Sequence, residues 1–247
     1  GAAAATPLIG RLADLFNKKW VLLGALGLIL AGSLLGALTS SLPLLLLGRV
    51  MQGMSFALYP VAVSILRDEV PAERLVRSMA TISAMLGVGG AFGLVVTGLL
   101  MPAGASYHRV FWLNTAAALV VTIAAAVVVP SRPHRVHARV DWIGALGLAV
   151  GLSGVMLAIS QGSAWGWTAT PTAAAAAVGA AILAAWWWRS KRAAEPLVST
   201  EMLARRPVLL ANSATFLVGM GLYFSFLGMT DFVEAPRGAG YGFGATI

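Results

Sequence analysis

Seven uncharged apolar stretches along this chain are long enough to cross a hydrocarbon core of about 30 Å at about 1.5 Å of helical rise per residue. They cover residues 20–38, 42–66, 78–101, 110–129, 142–160, 171–188 and 208–229, and Arg49 is the one charge inside any of them. Peptide groups cannot stay unpaired in lipid, so runs of this length predict helices. The strict alternation of a membrane β-barrel strand is absent. The expected fold is all-α, a polytopic transmembrane helix bundle.

The polar connections give the bundle a direction. Residues 10–20, GRLADLFNKKW, hold three Lys/Arg and one Asp between two apolar runs. Polytopic proteins keep Lys/Arg in their short cytoplasmic loops, so this loop is expected to be cytoplasmic. Alternating from it, RDEVPAERLVR, SRPHRVHARVD and RSKRAAEPLVSTEMLARRP fall on the same side, and the four segments hold 14 of the 17 Lys/Arg. Besides Arg49, only Arg109 and Arg237 lie elsewhere. The outer connections TSS, PAGASYH and QGSAWGWTAT are short, with Trp165 and Trp167 as interfacial anchors, and Trp186, Trp187 and Trp188 anchor the opposite side.

Composition agrees: 59% of residues are apolar, 11% are charged and the mean hydropathy is +0.85, whereas soluble domains carry roughly 25% charged residues. A formal charge of +8 would suggest nucleic acid as partner of a soluble chain. Here its placement at one membrane face accounts for it, so the expected partner is the lipid bilayer and not nucleic acid. There is no cysteine, which excludes disulfides, a thiol nucleophile and Cys-based metal sites. His134 and His137 stand i, i+3 in a basic loop; with Asp141 the sole nearby carboxylate they read as part of a lipid-facing loop, and no metal or cofactor is expected. The alternating glycines of GAGYGFGATI follow no strand and support no phosphate cradle. A polytopic enzyme would need a convergent His/Asp/Glu/Ser set at one membrane face, and none is visible. The chain begins at Gly1, not Met, inside a nine-residue apolar run too short to cross a bilayer, so a truncated N-terminus is expected.

The span at 42–66 carries the main chemical signal. Arg49, Gln52, Phe56 and Tyr59 follow i, i+3, i+7, i+10 and share one face of an ideal helix. Arg49 lies about 10 Å in from the outer end. A charge at such depth costs about 2.5–3.5 kcal/mol on insertion scales and is normally aimed at a cavity or a partner. The purely structural alternative is a donor to neighbouring helix carbonyls. In the span at 78–101, Gly87, Gly89, Gly90, Gly93 and Gly98 form a small-residue face, and Gly89-x-x-x-Gly93 would let a partner helix approach closely. Asp231 and Glu234 follow the last span and are either a protonatable pair near a cavity mouth or solvated acids at a membrane exit.

Several of these residues stand in a recognisable order. Gly10, Leu12, Asp14, Lys18 and Lys19 resemble the G-x-L-x-D-R-x-G-R-R loop between the second and third spans of the major facilitator superfamily, with Leu15 and Asn17 departing from it. Asn17 replaces a Gly, and Asn is the next residue to tolerate a left-handed turn. Leu45, Arg49, Gln52 and Gly53 resemble the L-x-x-x-R-x-x-Q-G pattern of the fourth span. Gly93 and Gly98 fall on the antiporter pattern of the fifth span, where Leu94 replaces its kink-forming Pro and Thr97 a Gly. HRVFWLN at 108–114 resembles the lead into the sixth span, 140–167 the first of two extra helices of the fourteen-span drug:proton antiporter branch, and 195–207 the amphipathic lead into its second half.

The resemblance implies a fragment running from about the second to the ninth span: residues 1–130 a partial N-terminal bundle, 131–206 two inserted linker spans, and 207–247 the first helix of the C-terminal bundle. It implies a secondary transporter of the plasma membrane exporting lipophilic or cationic drugs against protons by alternating access. Arg49 would then serve proton coupling, Gln52, Phe56 and Tyr59 the cavity, and Gly10, Asp14, Lys18 and Lys19 the conformational switch. Transport of an endogenous metabolite or lipid is the alternative within the same class. A non-transporting remnant is the alternative outside it.

Overall fold

The computed structural model describes residues 2–101, 105–131 and 140–235, with the side chains of all of these except 2–5, 226, 230, 231 and 234. Every regular element among them is helical: α1 (Ala2–Leu15), α2 (Lys18–Leu38), α3 (Leu42–Gln52), a 3-10 turn (Gly53–Ala57), α4 (Leu58–Glu69), α5 (Ala72–Leu100), α6 (His108–Val128), α7 (Trp142–Trp165), α8 (Thr170–Ser190), α9 (Thr200–Ala204) and α10 (Arg206–Glu234). Seven segments are long and apolar enough to cross a membrane: α2, the α3–α4 run, α5, α6, α7, α8 and α10 as far as Met229. The all-α expectation holds. The chain forms two compact units, Gly1–Val198 and Ser199–Ile247, the second built on α9 and α10.

Local chemistry sets the helix ends. The Asn17 side chain accepts from the Lys19 N–H at 3.0 Å and caps α2, Asp141 accepts from the Gly144 N–H at 2.8 Å and caps α7, and Ser199 accepts from the Met202 N–H at 3.2 Å and caps α9. Pro171 falls in the first turn of α8, where its missing N–H costs nothing. Gly166 ends α7 at φ 96°, a left-handed conformation that suits a residue with no Cβ.

Hydrogen bonds at the helix ends establish the up-and-down order of the first unit. The Asn17 side-chain amide donates to Ser131 Oγ at 2.8 Å, and Lys18 Nζ reaches Asp68 Oδ2 at 2.6 Å and the Ser64 carbonyl at 3.1 Å. The start of α2, the end of α4 and the segment after α6 therefore meet at one end. At the other, the Tyr107 hydroxyl donates to the Thr39 carbonyl at 3.3 Å.

Lipid tails are as apolar as Leu, so close packing and polar contacts must hold such helices together. A Cβ on Gly32 would lie 2.6 Å from the Gly48 carbonyl oxygen, and one on Gly48 would lie 2.7 Å from that of Gly32. Only a Gly pair permits this approach of α2 to α3. Gly36 leaves room for the buried Phe111 ring of α6 in the same way. Ile9, Ala13, Leu22, Leu26, Ala57 and Val61 complete the core between α1, α2, the 3-10 turn and α4. In the α7–α8 hairpin, a Cβ on Gly154 would stand 3.0 Å from Gly179 Cα, and Leu148, Trp186 and Leu197 form a second core against which Leu8 of α1 packs.

Three expectations need correction. The basic loop at 10–20 is mostly helix: Gly10 and Asp14 lie on α1, Lys18 and Lys19 open α2, and only Phe16 and Asn17 connect them. Asn17 takes no left-handed turn; its φ of −59° is that of an N-cap, whose exposed N–H partners suit an Asx side chain. The span at 42–66 is two helices joined by a 3-10 turn. Asp231 and Glu234 do follow the span, which ends at Met229, and they lie on the last turns of the α10 backbone. Their side chains lie outside the described residues, as do His134, His137, Arg237 and the glycines at 238–244.

Candidate functional site

The 3-10 turn decides which of the four residues on the second span meet. An ideal α-helix advances about 100° per residue and a 3-10 turn about 120°, so five residues of the tighter form rotate everything beyond them. Arg49, Gln52 and Phe56 line a cavity of about 510 Å³ between α2, α3, the 3-10 turn and α6. Tyr59, past the turn, lines a different cavity of about 360 Å³ with Gly10, Asp14 and Arg67, and its hydroxyl lies 3.0 Å from Ser83 Oγ of α5.

At the larger cavity the polar atoms form a connected set. Gln52 Nε2 donates to Ser33 Oγ at 2.8 Å, and Gln52 Oε1 accepts from Arg49 Nη1 at 3.4 Å. The Arg49 guanidinium also lies over the Phe111 ring, 4.9 Å from its centroid. Two weak holds thus replace an ion pair: no carboxylate among the described residues lies within 4 Å of Arg49. Ser33 is fully buried between Gly32 and Gly36, so the close α2–α3 crossing that these glycines permit is what brings its hydroxyl to Gln52. Asn114 and Ser55 add neutral polar groups, while Leu26, Ile29, Leu58, Ala117, Ala118 and Val121 make the rest of the wall apolar. The volume and the mix of an apolar wall with a few polar groups are those of a small-molecule pocket.

Sequence reasoning did not assign Ser33, Ser55 or Asn114 to the site. For Ser33 the signal existed: Gly32-x-x-x-Gly36 has the same spacing as Gly89-x-x-x-Gly93, with a hydroxyl inside it. The glycines singled out on α5 behave differently, since a Cβ on Gly89, Gly93 or Gly98 would meet nothing within 4 Å. That helix is unbroken over 29 residues and has no buried residue.

At the other end of the first unit, Asp14 and Gly10 of α1 face the 360 Å³ cavity, while Lys18 is engaged by Asp68 and Ser64. A separate ion pair closes the hairpin: Arg189 Nη1 lies 2.8 Å from Asp141 Oδ2, while the other carboxylate oxygen caps α7. The Arg189 hydrogen bond above all, helped by the Gly144 N–H, holds the Asp141 carboxyl below the usual carboxylate range against the opposing effect of burial. No group of three or more His, Cys, Asp or Glu that could hold a metal ion occurs among the described residues.

The chain is similar in sequence to known proteins. The chain is 28% identical to multidrug resistance protein 3 of Bacillus subtilis over 239 residues, 96% of this chain and 46% of that protein. It is 29% identical to a multidrug resistance protein B homolog of Mycobacterium tuberculosis, over 94% of this chain and 43% of the relative. It is also 29% identical to the tetracenomycin C resistance and export protein of Streptomyces glaucescens, over 91% of this chain and 41% of the relative. The chain spans about half the length of the curated relatives it matches. Residues 1–143, more than half of the chain, match the family profile of the Major Facilitator Superfamily, and with seven helices fit to span a bilayer this is a multi-pass membrane chain that belongs to that superfamily.

Proposed function

We propose that the full-length protein is a secondary transporter that exports lipophilic compounds against protons by alternating access, and that the cavity around Arg49 is part of its substrate path. The observation that carries this reading is the 510 Å³ cavity, apolar for most of its wall, with Arg49, Gln52 and Ser33 joined on one side. Family membership and relatives named for drug resistance and export support a transporter over a polytopic enzyme. The resemblance of 140–167 to the first inserted helix of the fourteen-span branch, and of 195–207 to the amphipathic lead into its second half, supports reading residues 1–130, 131–206 and 207–247 as partial first bundle, linker spans and start of the second bundle.

Arg49 lies among the neutral polar groups of the cavity, Gln52, Ser33, Ser55 and Asn114. Its part in coupling is electrostatic: a fixed positive charge in a low-dielectric cavity lowers the proton affinity of an acid that approaches it and yields when substrate intervenes. Gln52 and Phe111 hold the guanidinium without neutralising it. Gly10, Asp14, Lys18 and Lys19 stand at the end of the bundle that carries the basic connections, which supports a cytoplasmic switch whose contacts form and break in each cycle. Gly89, Gly93 and Gly98 offer an open small-residue face that suits a partner helix.

The test is collapse of a pH gradient in inverted vesicles carrying the full-length protein, on adding lipophilic cations, neutral compounds and anions in turn. The expected result is gradient consumption by wild type on adding a lipophilic drug and none by Arg49→Ala. If no class of drug moves protons in folded wild type, drug:proton antiport is wrong and an endogenous metabolite or lipid becomes the substrate to seek.

A further inference from the structure

The cytoplasmic end of α8 holds two cations that no carboxylate among the described residues answers. The apolar run of this helix closes on Trp186, Trp187 and Trp188, and the helical phase separates their fates. Trp186 is buried against α7, whereas Trp187 and Trp188 are 37% and 63% exposed and turn outward. Arg189 is drawn back to Asp141 at 2.8 Å, which spends its charge inside the hairpin. Lys191 and Arg192 are exposed, and no carboxylate among the described residues lies within 4 Å of either.

Both cations fold over the outward indoles. Arg192 Cζ lies 3.6 Å from the centroid of a Trp188 ring, and Lys191 Nζ lies 5.5 Å from that of Trp187. Stacking on an indole engages the face of a guanidinium and leaves its in-plane N–H donors for phosphate oxygens, which that planar fork recognises bidentately. The negative end of the α8 dipole, about half a charge, opposes an anion here, but two full positive charges outweigh it. Tryptophan at the end of a span sits at headgroup level, so donors and indoles share the depth of a lipid phosphate.

We propose that residues 187–192 form a binding site for an anionic phospholipid, with Arg192 and Lys191 on the phosphate and the exposed faces of Trp187 and Trp188 against the glycerol and upper acyl region. A free phosphate would have no use for the two exposed indoles, which is why a lipid is the occupant. The site anchors the hairpin to the membrane face and is independent of the substrate cavity.

Purified full-length protein in detergent micelles is titrated with dioleoylphosphatidylglycerol or dioleoylphosphatidylcholine, and bound lipid is counted by native mass spectrometry. Phosphatidylglycerol is expected to bind in preference, and Lys191→Gln with Arg192→Gln to weaken it about thirtyfold. Arg192→Lys, which keeps the charge and loses the planar donors, should fall between the two. Arg205→Gln with Arg206→Gln removes two adjacent cations that stack on no aromatic ring among the described residues and should leave binding unchanged. The proposal is overturned by equal binding of the two lipids, by equal losses in the two double variants, or by displacement of phosphatidylglycerol with millimolar inorganic phosphate. Because Lys191 and Arg192 are exposed and take no part in the hairpin core, unchanged melting of the variants is expected; unchanged melting with unchanged phosphatidylglycerol binding also overturns it.

Discussion

Gly36 and Phe111 show how little a single residue needs to do to shape a site. The Phe111 ring occupies the space that a Gly36 side chain would take, and the Arg49 guanidinium lies over that ring at 4.9 Å from its centroid. Gly36→Ala should therefore cost about 1–3 kcal/mol through overpacking, read as a lowered melting temperature of the purified full-length protein. Phe111→Leu should leave the fold in place while loosening Arg49, so transport coupled to the pH gradient falls severalfold and Phe111→Tyr restores most of it. A Leu variant with unimpaired coupling would remove Phe111 from any positioning role. Asp141 is the residue whose titration matters outside the spans. Its carboxyl is held low, mainly by Arg189, so its contribution to stability is complete above the ordinary carboxylate pKa and is lost as the pH falls through the lower, folded value. Acid below about pH 4 should loosen α7 from α8 in wild type. Asp141→Asn should already be less stable at neutral pH and flatter on the acid side, as followed by melting against pH.

Among elements, glycine spacing meant different things in different helices. On α2 and α3 the glycines meet backbone: Gly32 and Gly48 face each other's carbonyls, so Gly32→Ala must push the helices apart and pull Ser33 from Gln52. On α5 the same spacing meets open space, so within this chain Gly89→Ala gains helix propensity of about 1 kcal/mol and costs nothing in packing. Melting of the two variants in the full-length protein should separate them. If Gly89→Ala is as damaging as Gly32→Ala, α5 has a close helical neighbour beyond the described residues. The length of the apolar runs gave the seven spanning helices to within six residues, since lipid leaves no other way to pair the backbone. It could not give the 3-10 turn, because Gly53–Ala57 contains no Pro and keeps the apolar run intact. That turn is what separated Tyr59 from Arg49, Gln52 and Phe56.

At the scale of the molecule, the distribution of Lys/Arg predicts a sidedness that can be measured directly. The chain has no cysteine, so single substitutions report without background. Phe16→Cys, between α1 and α2, is expected to react with an impermeant maleimide only from the cytoplasmic side of cells or inverted vesicles, and Thr168→Cys, between α7 and α8, only from the outside. Reaction of both from one side would break the alternating topology.

Some of this protein was fixed by its sequence alone. Helical class, the number of segments long and apolar enough to cross a membrane, their limits to within six residues and the grouping of the basic connections follow from one-dimensional patterns, because a bilayer converts hydropathy and length directly into structure. The tertiary structure alone decided which small residues touch, that Ser33 lies at the cavity, that Phe111 carries Arg49 and that Lys191 and Arg192 lie over outward indoles while Arg189 turns inward. Those outcomes depend on helix rotation and crossing distance. A change of tens of degrees or an ångström or two alters both and leaves the hydropathy pattern untouched.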